Sequence, residues 1–161
     1  MKKILIAAAF VFSSVAFAND VQVPKVYHEI ATAPAAPRES EIASLFDRWN
    51  AALATGDADT VTKLYAPNAV LEPTVSNEVR TTTDGIRDYF VKFLKMKPQG
   101  TINVREIRLL GDSAALDTGV YTFDLIKNGT HQKVQARYTY VYQKVDGNWK
   151  ILNHHSSMMP Q

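Results

Sequence analysis

Cysteine is absent from the 161 residues. No thiolate can hold zinc, attack a substrate or cross-link this chain, so stability has to come from the core and from any partner subunit. An excess of one charge is missing too. The 18 basic and 16 acidic residues are interspersed, without the basic stripe that tracks a nucleic-acid backbone, so nucleic acid is not an expected partner. Long apolar runs are equally scarce. The most pronounced, Ile4 to Val15, follows Lys2 and Lys3 and precedes Ala16-Phe17-Ala18. That order of charged, apolar and small residues is the pattern of a secretory signal over residues 1–18, with cleavage expected after Ala18. The run is short for a bilayer span, and no other segment approaches the ~20 apolar residues one requires. Stable membrane insertion is therefore not expected, and the expected location is periplasmic or secreted. Without Lys2 and Lys3 the basic count equals the acidic count, leaving the mature chain formally neutral.

Residues 19–39 carry Pro24, Pro34 and Pro37 among alanines and read as an extended, mobile arm or linker with a solvated His28. The domain is expected over residues 40–161. Ser40 is a candidate N-cap with Glu41 in the first turn, and Ile42, Leu45, Phe46, Trp49 and Leu53 recur at helical spacing. Gly56 ends that helix and Asp57 can cap a shorter one carrying Val61, Leu64 and Tyr65, stopped by Pro67. A strand at Ala69-Val70-Leu71 leads into Glu72-Pro73. Thr83 or Asp84 opens a third helix whose apolar positions Ile86, Tyr89, Phe90, Phe93 and Leu94 lie on one face.

From Thr101 the period changes to two. Strands are expected at 102–109, 113–125, 134–144 and 149–155, joined at Gly111-Asp112, Asn128-Gly129 and Asp146-Gly147, pairs suited to tight hairpins. Three helices followed by long antiparallel strands make an α+β domain. Helices cover only one face of such a sheet, yet both rows of residues 113–125 hold apolar area, which predicts a second copy of the chain against the outer face. In the last strand, regular alternation puts Trp149, Ile151, Asn153 and His155 on one side and Lys150, Leu152, His154 and Ser156 on the other. Trp49 and Trp149 read as core.

These residues resemble the NTF2-like superfamily, and within it the association (hub) domain of calcium/calmodulin-dependent protein kinase II and its stand-alone bacterial SnoaL-like relatives. The resemblance rests on residues 50–57, Asn-Ala-Ala-Leu-Ala-Thr-Gly-Asp, on Leu71-Glu72-Pro73, on Gly85-Ile86-Arg87-Asp88-Tyr89-Phe90, and on Asp146-Gly147-Asn148-Trp149-Lys150-Ile151 followed by His155 and Ser157. It implies a cone in which three helices pack inside a strongly curved sheet, with a ligand pocket at the open end and assembly through the outer sheet face. A kinase domain is not implied, because the chain has no Gly-rich phosphate loop and no Asp-Phe-Gly. The hub's pocket arginine corresponds to Tyr140 here, while Arg137 falls on the opposite row of a regular strand.

Glu72, Tyr121, Arg137, Tyr140 and His155 are the candidate pocket residues. Glu72 follows the family motif, and the apolar row of the last strand leads inward to His155. His154, on the other row, reads as an interface residue. Arg137 is expected among the tyrosines, with Asp117 as its partner. No metal or cofactor is expected, since adjacent His154 and His155 face opposite ways on a strand. Ser156 and Ser157 lack the strained elbow of a nucleophile. Two functions remain: an exported, self-associating domain that binds a small molecule, or a small isomerase, cyclase or hydrolase in which Glu72 or Asp117 works with His155.

Overall fold

Proline decides where the first helix begins. In the computed structural model, which describes residues 26–160, helix α1 runs Pro37–Ala54 with Pro37 in its first turn. The missing N–H costs nothing there and the fixed φ is already helical, so the N-cap is Ala36, four residues before the expected cap Ser40. The signal segment and residues 19–25 of the arm lie outside the described residues. Gly56, at φ +70°, ends the α1 corner. Asp57 caps α2 (Ala58–Thr62) by accepting from the Asp59 N–H at 3.0 Å, and Thr82 caps α3 (Thr83–Phe93) by accepting from the Gly85 N–H. A 3-10 turn, Leu94–Met96, continues α3.

Strand β1 spans Tyr65–Glu72, so Tyr65 is not helical and Pro67 stands inside a strand. Proline is tolerated because β1 is an edge strand, where one N–H per residue pair has no ladder partner to lose. The remaining strands are β2 (Gln99–Leu109), β3 (Ala114–Lys127), β4 (Thr130–Val145) and β5 (Asn148–Met158). The sheet order is β1-β5-β4-β3-β2. Neighbours are antiparallel except β1, which runs parallel to β5. Asn128-Gly129 and Asp146-Gly147 all adopt positive φ, the conformation that the twist of a two-residue hairpin demands.

The helices pack on one face of this sheet. Phe46 and Trp49 of α1 meet Tyr121, Tyr138 and Tyr140, while Phe93 of α3 meets Phe123. Trp49 is 1% exposed, and its loss to alanine would cost about 3–5 kcal/mol. Trp149 is only half-buried; its indole N–H donates to Glu41 at 2.9 Å and closes the edge of α1. Curvature comes from two irregularities. Register shifts at Asn103 between Ile102 and Val104, and opposite it Gly119 approaches Val104 so closely that a Cβ would sit 1.9 Å from the Val104 carbonyl oxygen.

A second shift falls in β5. Tyr142 pairs with Ile151 and Val141 with Asn153, leaving Leu152 as an extra residue. Such a bulge reverses every side chain beyond it. Ile151, His154 and Ser156 are consequently buried and His155 is exposed, contrary to the regular alternation. The arm is also more engaged than a free tether. The Gln135 side-chain amide donates to the Tyr27 carbonyl and accepts from its N–H, at 2.8 and 3.0 Å. The Asn103 amide donates to the Glu29 carbonyl, and the Ala31 N–H donates to the Ile102 carbonyl.

Candidate functional site

Inside the cone is a cavity of about 30 Å³, room for roughly two waters. Trp49, Tyr89, Phe93, Tyr121 and Phe123 give it aromatic walls, with Leu125, Val134 and Ala136 beside them. Pro73, Thr74 and Val75 form its lip, and His154 and Ser156 come from β5. The lip segment is held at its base by paired backbone bonds between Leu71 and Arg80, both 2.9 Å. Among the described residues no charged side chain lines the cavity. An adjoining recess of about 430 Å³ shares Val75, Tyr89, Phe93, Leu125 and Val134 and adds Arg80, Lys92 and Lys127.

A chain of hydrogen bonds sets the state of His154. Trp49 Nε1 donates to the Tyr65 hydroxyl oxygen at 3.2 Å, and that hydroxyl lies 2.9 Å from His154 Nδ1. Indole can only donate. Passing the tyrosine proton to Nδ1 satisfies both groups, whereas a proton on Nδ1 would strand the tyrosine hydrogen in the core. The proton of His154 therefore sits on Nε2, a buried atom with no partner among the described residues. Burial, and then the charge of neighbouring His155, push the pKa of His154 down to about 3, so the ring is neutral at ordinary pH. Tyr140 stacks on it, with centroids 4.2 Å apart. The hydroxyls on the β5 side of the cavity are occupied. Tyr121 donates to Ser156 Oγ, which also bonds Thr74 Oγ1.

A separate buried ion pair lies on the inner side of β2 and β3. Arg105 Nε is 3.3 Å from Asp117 Oδ2, poorly aligned for a hydrogen bond, and both atoms lack one. Tyr138 donates to Asp117 Oδ1 at 2.9 Å. Burial raises the Asp117 pKa to about 6 against the opposing pull of Arg105 and Tyr138. Asp117 thus has an arginine partner, but it is Arg105. Arg137 is exposed and does not enter the tyrosine cluster.

The five expected pocket residues divide between the two faces. Tyr121 lines the cavity and Tyr140 backs it through His154. Arg137 and His155 share a groove of about 440 Å³ with Thr118, Val120, Thr139 and Ser157 on the outer face. Glu72 is half-buried beside β5, within 3.3 Å of the Asn153 amide, and is absent from the cavity lining. Sequence reasoning missed Tyr65, Arg105 and above all His154. Tyr65 was hidden by reading Pro67 as a helix stop, and His154 by a bulge that has no local signature. Among the described residues no cluster of His, Asp and Glu is suited to a metal ion, and no helix is long and apolar enough to cross a membrane.

The sequence model of the calcium/calmodulin dependent protein kinase II association domain matches residues 38–160. A solved Xanthomonas campestris protein described as such an association domain is 56% identical, with 85% of this chain and 99% of that one covered at a TM-score of 0.83. The hub homology domain of Chlamydomonas reinhardtii is 23% identical over 75% of this chain and 97% of its own, TM-score 0.63. An NTF2-like protein with a cystatin-like fold from Novosphingobium aromaticivorans is 12% identical over 73% and 79%, TM-score 0.61. The last two show the fold alone.

Proposed function

The chain belongs to the calcium/calmodulin-dependent protein kinase II association domain family, and on that premise we propose that it is an exported, self-associating domain that binds a small molecule and has no kinase activity. The observation that carries self-association is the outer row of the sheet. Leu116 and Val141 pair across β3 and β4 and are half-buried without belonging to the core cluster. Val120, 7% exposed, is likewise outside that cluster. A partly covered apolar row on the face of an antiparallel sheet that carries no helices favours further burial against a partner, and a second copy supplies the same row by symmetry. The ligand reading is supported by the cavity and its unpartnered His154 donor. Export is supported by Lys2-Lys3, the apolar run and the Ala16-Phe17-Ala18 ending.

Sedimentation of purified protein at micromolar concentration tests the assembly. The wild type is expected as a multimer and Val141→Glu as a folded monomer; a monomeric wild type would refute the proposal. For export, N-terminal sequencing of protein released from the periplasm should begin at Asn19, and intact Met1 in the cytoplasm would oppose it. The enzymatic alternative requires Glu72 or Asp117 to face His155 within one enclosure. Glu72 and His155 are absent from the cavity lining and Asp117 is tied to Arg105 and Tyr138, so no observation favours that arrangement.

A further inference from the structure

Resting on the reading of the cone interior as a ligand site, we infer that the cavity takes the uncharged acceptor end of a slender apolar molecule, a ketone, aldehyde or ester oxygen, with His154 Nε2–H as its donor, and rejects carboxylates. Three observations converge on this class. First, the Trp49–Tyr65–His154 relay fixes the tautomer, so the ring offers a hydrogen to an occupant and not a lone pair. That N–H is buried and unpartnered, a state that an acceptor atom relieves. Second, the lining has no cation, and the ring itself stays neutral because burial opposes its protonation. A carboxylate entering here would lose its water without gaining a counter-charge.

The third observation concerns the charges nearby. Arg105 is already neutralised by Asp117. In the recess, Arg80 pairs with Glu78 and Lys92 with Asp88, while Lys127 is exposed to water. None of these cations lines the inner chamber. The chamber admits little more than the acceptor group itself, and the rest of the molecule then lies along Phe93, Leu125 and Val134, which line both chamber and recess. An unbranched methyl ketone has this shape.

The test compares 2-hexanone with hexanoate, probes of equal length that differ in charge, on purified protein. Imidazole ¹⁵N spectra of the unliganded wild type should show His154 protonated on Nε2 alone. On titration, 2-hexanone should shift that resonance and raise the melting temperature, with hexanoate at least about tenfold weaker because its charge is uncompensated. His154→Phe, which keeps a ring of similar size, should lose most of the ketone response. Hexanoate binding as well as or better than 2-hexanone would overturn the inference while leaving the cavity as a ligand site. If neither probe perturbs any cavity residue, the ligand-site reading itself fails and the inference falls with it. A proton on Nδ1 in the wild type would overturn the donor assignment whatever the variant does.

Discussion

His154 and His155 are neighbours with opposite fates, and the difference is worth more than their shared chemistry. His154 is 4% exposed, neutral and stacked on Tyr140, while His155 stands in the outer groove with Arg137. Asp117 makes a prediction at this scale. Its pKa is 3.8 in the unfolded chain and about 6 in the fold, so between those values the folded protein holds a proton that the unfolded chain has released. Stability from this group should therefore fall as pH rises from about 4 to 6. Asp57 and Asp88 are shifted downward from 3.8, so their windows lie below this one. His154, lowered from 6.5 to about 3 by burial, contributes the opposite slope between those values, so urea midpoints measured from pH 4 to 7 should rise more steeply with pH in Asp117→Asn than in wild type; an unchanged slope in the variant would assign the effect elsewhere. Gly119 supplies another. A Cβ there would meet the Val104 carbonyl oxygen at 1.9 Å, and Gly119→Ala should cost about 3 kcal/mol by overpacking, read from the urea midpoint. A loss under about 0.5 kcal/mol would mean that the strands separate easily at this point.

At the scale of elements, local chemistry and long-range packing can be told apart. The helices were legible because capping residues and apolar spacing agree, as at Asp57 and along Ile86, Tyr89, Phe90 and Phe93. The hairpins at Asn128-Gly129 and Asp146-Gly147 were legible because few residue pairs tolerate positive φ twice in succession. Three features were not. Pro67 signals a break in isolation, and only the edge position of β1 makes it acceptable. The parallel docking of β1 on β5 joins segments about eighty residues apart, which no local pattern reports. The extra Leu152 in β5 is set by pairing with β4, so alternation read along β5 alone put the wrong histidine inside. Deleting Leu152 should make β5 regular while keeping Ile151 and His154 on the inner row and His155 on the outer one, because Asn153 then follows Ile151 directly in the existing register. Such a variant is expected to fold with its first histidine still buried, read as an imidazole ¹⁵N resonance that stays neutral at pH 5. Protonation of that ring at pH 5 would show that Leu152 is not the residue that sets the register.

The whole molecule is a curved wall with two unlike faces. Its inner face closes on the helices through stacked aromatics and keeps an uncharged cavity at the end where Thr74 meets Ser156. The outer face combines the apolar row of Leu116, Val120 and Val141 with Arg137, an exposed cation. The described part of the arm is tied to this wall through Gln135 and Asn103. If the outer face meets another copy, it should be shielded from solvent while the cavity lip stays accessible. Because the natural chain has no cysteine, a single introduced thiol reports on either place without background. The most direct measurement is therefore the maleimide labelling rate of Arg137→Cys against Asn77→Cys on the exposed lip loop, with both proteins folded at the same micromolar concentration. Self-association through the outer wall predicts that the thiol at 137 reacts at least about tenfold more slowly than the one at 77, as burial of a standard-size interface requires; equal rates at the two positions would contradict it.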